Sequence, residues 1–180
     1  MIEFSNHKID YAIFQDWNAN KGSLKSKFVM IFFRMAKLFK SNFVLTIVFC
    51  WYLLLYRVFV EWLLNIGINW NVNASKGLRL VRGYGSVISG DTIIGANCTI
   101  RHFTTITNKM AEDGSYGKSP KIGNNVDIGV NVVIIGDVTI GDNVKIGAGT
   151  VVTKDIEANS VMVGNPARLL KKVYDQHSFA

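Results

Sequence analysis

The sequence predicts a mainly β fold: a parallel β-helix of hexapeptide repeats, preceded by a small α-helical N-terminal segment. Three observations carry this. Ile88, Ile94, Ile100 and Ile106 stand six residues apart, and after a break the count resumes at Ile122, Ile128, Ile134, Ile140, Ile146 and Val152. Four residues after most of them comes a small or β-branched side chain, at Thr92, Cys98, Thr104, Val126, Val132, Val138, Val144, Thr150 and Ile156. Glycine directly follows the isoleucine at Gly95, Gly123, Gly129, Gly141 and Gly147. A fixed six-residue period of this length is neither a helix nor a hairpin pattern. Each hexapeptide supplies one short strand and one tight corner. The isoleucine points inward and stacks on that of the next coil. The residue four later also points inward and stays small because three strands converge there. Gly, Asn or Asp at the corners accepts backbone angles that other residues resist.

The chain divides into a helical N-terminal segment over 1–68, the β-helix over 69–168 with an excursion loop at 107–121, and a tail over 169–180. Residues 22–41 read as a helix capped by Ser23, with Phe28, Ile31, Phe32, Met35, Leu38 and Phe39 at helical spacing and basic residues between them. Phe43 to Tyr56 is a run of fourteen without a charge, and then Arg57 and Glu61 follow, spaced to pair on one helix face. A spanning helix needs about 20 apolar residues. Three readings of 43–65 stay open: a buried helix of a helical subdomain, a helix lying on a membrane surface, and a true span. No small-residue cleavage site accompanies the run, so it does not read as a signal peptide. Residues 66–80, where Asn69, Asn71 and Asn73 alternate with Trp70 and Val72, suit an irregular first coil. Between Ile106 and Ile122 lie sixteen positions, so four residues leave the coil if two repeats are counted and ten if one is. After Pro166, Ala167 to Tyr174 can form a short basic helix.

The formal net charge of +7 favours acidic partners, yet no nucleic-acid motif is present and none is expected to bind. Two cysteines, Cys50 and Cys98, make neither a disulfide framework nor a metal-ligand spacing, so no metal is expected. A reducing, cytoplasmic setting follows, with a peripheral position on the inner face of the cytoplasmic membrane if residues 22–65 touch lipid. His7 and His177 read as solvated terminal histidines. His102 differs, because it sits at a corner inside the repeats, one repeat before the loop departs. A neutral imidazole there suits proton abstraction from a hydroxyl; a solvated surface histidine is the plain alternative.

The repeats, the loop ending Ser119-Pro120-Lys121-Ile122-Gly123, and the ending Val163-Gly164-Asn165-Pro166-Ala167-Arg168 resemble the hexapeptide-repeat acyltransferases. Within them the chain resembles the serine acetyltransferase branch, and most closely its polysaccharide-modifying members of the colanic acid type, which share a Thr-Ile-Arg-His stretch like Thr99 to His102. The likeness covers roughly residues 15–172. Serine acetyltransferases carry one histidine early in the β-helix, where this chain has Val81-Arg82-Gly83, and another in the loop, where it has Ser119. The polysaccharide branch has a His-His-Gly-Tyr stretch matching Val81 to Tyr84.

The resemblance implies a left-handed coil, a homotrimer with sites at subunit boundaries, and acetyl-coenzyme A as donor along a groove between two subunits. Gly129, Gly147 and Ala148 would lie along the pantetheine arm, and Lys154, Pro166, Ala167 and Arg168 near the adenosine and phosphates. His102 would act as general base, with Asp91, Glu112 or Asp113 as candidates to orient its ring. Arg82, Tyr84, Asn108 and Lys118 would bind the acceptor. The expected activity is O-acetyl transfer to a sugar hydroxyl of a surface polysaccharide (capsule, O-antigen or exopolysaccharide) or its lipid-linked repeat unit. Serine O-acetylation in cysteine biosynthesis and a non-catalytic β-helix scaffold are the alternatives.

Overall fold

The computed structural model describes residues 12–173; His7 and His177 lie outside this range. A three-sided parallel β-helix forms the body. The first face stacks Ile66–Ile68, Ser86–Ile88, Thr105–Thr107, Val133–Ile135 and Val151–Val152. The second stacks Asn73–Ala74, Ile93–Ile94, Lys121–Ile122 and Thr139–Ile140. The third runs from Arg79–Val81 through Thr99–Arg101, Asp127–Ile128 and Lys145–Ile146 to Ser160–Val163.

The ladder isoleucines are all buried and pair rung on rung, as in Ile88 with Ile106 and Ile128 with Ile146. Each contributes on the order of 1.5–3 kcal/mol of burial free energy. Thr92, Cys98, Thr104, Val126, Val132, Val144 and Thr150 fill the interior beside them. Left-handed corner residues are mostly asparagines, and Asn97, Asn125, Asn143 and Asn159 join side chain to side chain up one edge.

Three departures from the period appear. Ile122 pairs with Ile140, 18 positions on, but Ile94 pairs with Ile122, 28 positions on, so ten residues leave the coil at the excursion loop. Leu80 pairs with Ile100, 20 positions on, because the corner after Val81 is two residues longer than the others. Ile156, expected to fill an interior position four after Val152, instead bridges Ile140, taking the ladder position of a shortened coil. The expected C-terminal helix is absent: Arg168–Lys172 is a strand lying antiparallel on Ser160–Val163. Edge pairing satisfies the backbone groups of the last coil, which outweighs the weak helical preference of an Arg-Leu-Leu-Lys-Lys stretch.

The N-terminal segment closes the other end. Helix α1 spans Leu24–Lys40, with the Ser23 hydroxyl accepting from the Ser26 amide. Its polar side chains take up the unpaired backbone of the first coil. Ser26 donates to Leu80 O at 2.7 Å, Arg34 to Ala74 O at 2.6 Å, and Lys37 to Val72 O at 2.7 Å. Asn20 accepts from Leu80 N and donates to Leu78 O, while Asp16 accepts from Leu78 N and pairs with Arg34 at 2.8 Å, both side chains buried. Capping in this way covers the open edges of the second and third faces, which would otherwise pair with other chains. Helix α2 (Phe43–Val48), helix α3 (Cys50–Tyr56) and a π-helical turn (Arg57–Leu63) pack one side on α1, and Tyr56 donates to Ile68 O at 2.7 Å. No helix of the described residues is long and apolar enough to cross a membrane.

Candidate functional site

His102 sits at the corner between the third and first faces. The chain turns there through Phe103, whose φ of +58° is a left-handed conformation rarely taken by an aromatic residue. Strain of this kind is of order 1–3 kcal/mol and gathers at functional sites. The imidazole stacks on Tyr84, with centroids 5.0 Å apart and planes 28° apart, and Phe103 stands edge-on to Tyr84 at 5.3 Å. Gly85 makes this possible: a Cβ there would lie 2.3 Å from the Phe103 ring. Arg82, exposed and left-handed at φ +58°, shares the lengthened corner with Tyr84, one coil below His102. The Nδ1 atom of His102 is enclosed and has no hydrogen-bond partner among the described residues. None of the three carboxylates considered as its orienter bonds to it; the Asp113 carboxylate accepts instead from Ser115 N and Oγ. A buried ring nitrogen left bare costs about 1–3 kcal/mol.

The same corner continues up the prism. Asn131 N donates to His102 O, Gly149 N to Val130 O, and Val151 N to Gly164 O. Gly129, Gly147, Ala148, Pro166 and Ala167 therefore follow His102 along one edge. Gly129 is there for packing rather than for access, since a Cβ would meet the Ala148 amide and Ile146 carbonyl at 2.7 Å. Ala148 and Gly149 are exposed and present the open backbone. Arg168 begins the antiparallel strand, exposed beside Pro166. Lys154 stands apart, at the corner between the first and second faces.

That second corner is also where the excursion loop leaves. Asn108 holds the loop base through Gly117 O at 3.2 Å, Met110 pairs with Tyr116, and Lys118 lies 3.8 Å from Asp137. Hence Asn108 and Lys118 do not join Arg82 and Tyr84 within one chain, and His102 is not beside the loop of its own chain. A groove of about 560 Å³ runs under the loop, lined by Glu61, Asn69, Asn71, Asp91, Asn108 and Tyr116 among others. Burial raises the Glu61 carboxyl, while the Arg57 guanidinium 3.4 Å away opposes the shift. No cluster of metal-ligating side chains occurs among the described residues.

Residues 119–154 match the family described as bacterial transferase hexapeptide (six repeats). WcaB of Escherichia coli K12, a protein named as a colanic acid biosynthesis acetyltransferase, is 34% identical over 159 residues, covering 86% of this chain and 96% of its own length. The chain belongs to the hexapeptide-repeat acetyltransferases. It is thereby an acyl-CoA-dependent O-acyltransferase. Serine acetyltransferase 2 of Arabidopsis thaliana is 33% identical over 112 residues, but only 34% of that enzyme is covered. Among solved structures, the soybean serine acetyltransferase apoenzyme superposes with a TM-score of 0.75 at 27% identity, over 88% of this chain and 67% of that one. The serine complex of the Neisseria gonorrhoeae enzyme gives 0.73 at 25% identity, over 93% and 71%.

Phe103 and Gly85 carry no motif of their own, although the eight-residue step from Leu80 to Ile88 marks an enlarged corner. Glu61, Asn69 and Asn71 come to the groove from a helix and from the first coil, and no periodicity links those segments to the loop.

Proposed function

We propose that the protein transfers an acetyl group from acetyl-coenzyme A to a sugar hydroxyl of a surface polysaccharide or its lipid-linked repeat unit. The carrying observation is the aromatic stack of Tyr84 on His102, at the foot of an edge that runs past Gly129 and Gly147 to Pro166. His102 removes the hydroxyl proton as the oxygen attacks the thioester carbonyl; the thiolate of coenzyme A leaves and takes up a proton. An exposed corner amide of the next coil receives the oxyanion. Ala148 and the neighbouring backbone face the pantetheine arm, and Arg168 and Lys171 make the upper end basic for a polyanionic donor, Lys172 being paired with Glu157. A ring face at Tyr84, the guanidinium of Arg82 and the amide-rich groove beneath the loop suit a saccharide better than a small amino acid.

Because His102 and the loop occupy different corners of one prism, Asn108, Lys118 and Lys154 reach the reaction only from a neighbouring subunit. A homotrimer with three boundary sites supplies that arrangement. The same reading sets the enzyme at the inner face of the cytoplasmic membrane, where lipid-linked acceptors lie.

Serine O-acetylation is the second reading, favoured by the serine acetyltransferase structures that share the fold. Following free thiol release from acetyl-coenzyme A separates the two. Turnover with extracted polysaccharide or its oligosaccharides, and none with serine, is the expected result; turnover with serine alone overturns the saccharide reading.

A further inference from the structure

The segment Phe43–Leu63 has two unlike sides. Tyr52, Tyr56 and Val60 are buried, and Phe49 and Tyr52 pack on Phe39 and Phe32 of α1. The outward side carries Phe43, Ile47, Trp51, Leu54, Val58 and Trp62, with Phe43 79% and Trp62 74% exposed. Their spacing of three to four residues makes one continuous stripe. The two charges within the segment are drawn off it: Arg57 lies over the Trp70 ring at 5.1 Å and pairs with Glu61, which turns toward the groove. Such a surface on a single chain is well beyond the scattered exposure usual for soluble proteins.

Charge decides what covers it. Among the described residues before Ile66, the acidic side chains are Asp16 and Glu61, each paired with an arginine. Lys21, Lys25, Lys27 and Lys40 make no ion pair among the described residues. A second copy laid on the stripe would bring two basic layers together; an anionic lipid surface neutralises one. Aromatic side chains over an apolar stripe with basic flanks are also the composition of helices that lie in a bilayer interface.

We propose that the stripe from Phe43 to Trp62 seats on an anionic lipid bilayer and holds the adjoining groove at the level of the lipid headgroups. Glu61 is both the end of the docked segment and a wall of that groove. A smaller pocket of about 230 Å³, lined by Lys37, Lys40 and Trp70, shares Asn71 and Asp91 with the groove and extends it back toward α2. Docking stands on the stripe and its charge alone. The consequence that the acceptor is a saccharide anchored in that bilayer rests on the function proposed above.

The test is flotation of the full chain with vesicles of phosphatidylcholine, with and without about one quarter phosphatidylglycerol. Retention about 100-fold stronger or more on the anionic vesicles, cut steeply by 0.5 M salt, is expected from roughly three to four lysines near the surface. Trp51→Glu with Leu54→Glu, both exposed positions, should cut retention at least about 10-fold while the melting temperature stays unchanged. Lys25→Glu with Lys40→Glu should remove the anionic preference. The proposal is overturned if the wild type does not float, if the Trp51→Glu/Leu54→Glu variant floats as well as the wild type, or if that variant instead splits a larger assembly into a smaller one. Thiol release with a soluble saccharide, run on the same samples, reports on the catalytic reading separately, since it needs no vesicles.

Discussion

The ring of His102 lies face to face with the phenol ring of Tyr84, one coil below it, at a centroid distance of 5.0 Å. Two residues eighteen apart in sequence thus form one surface at a corner of the prism, and Phe103 closes its side.

Replacing His102 by Ala should lower acetyl transfer by about 10²–10⁴-fold, the usual contribution of a general base. Donor binding, followed by calorimetry with coenzyme A, should change little. His102→Gln keeps a hydrogen-bonding group but cannot carry the proton, so it should be as inactive; a Gln variant near wild-type rate rules out the base role.

Gly85→Ala brings a methyl group to 2.3 Å from the Phe103 ring, at a residue whose φ is +67°. Strain and collision together should cost about 1–3 kcal/mol, which for a chain of this size lowers the melting temperature by roughly 2–10 °C. Adding Phe103→Ala removes the collision and should recover part of the loss in a thermal scan, while the rate falls because the stack is opened.

Asp16→Ala leaves the Arg34 guanidinium buried without its counter-charge. A loss of about 3–5 kcal/mol in denaturant unfolding is expected. Pairing the change with Arg34→Met should be milder than Asp16→Ala alone, since no unpaired charge then remains inside.

Burial pushes the Cys98 thiol up to about 11; a hydrogen bond from the Val126 amide opposes this and the Asp142 carboxylate adds to it. The unfolded thiol ionises first as pH rises, so this contribution is intact below the ordinary thiol range and is lost as pH climbs toward 11. Lys37 acts in the opposite sense: burial, with Arg34 adding to it, lowers it to about 8, so its charging penalty is relieved from pH 8 upward. Cys98→Val, which repeats the side chain of the coil above, should flatten the alkaline loss of stability between about pH 9 and 11. An unchanged slope in urea melts across that range counts against the thiol as its source.

Much of the fold was legible because its period is strict. The ladder from Ile88 to Val152, the Ser23 cap and the Arg57–Glu61 pair all appear where spacing puts them. The size of the loop was readable only as two options, and pairing of Ile94 with Ile122 selects ten extra residues. At the site, Arg82, Tyr84 and His102 do share a corner. Asn108, Lys118 and Lys154 do not, because which corner a residue reaches depends on insertions and deletions summed over the whole coil.

The sequence by itself determined the architecture, since an inward residue every six positions can be buried only by stacking coil on coil. It also marked His102 as the histidine within the repeats. Tertiary structure decided the ends and the surfaces. The C-terminal stretch became a strand because an open sheet edge lay beside it. Helix α1 became the cap of the first coil because Ser26, Arg34 and Lys37 meet backbone groups more than thirty residues away. The apolar run after it was left with one side bare, because α1 and the first coil cover only the other.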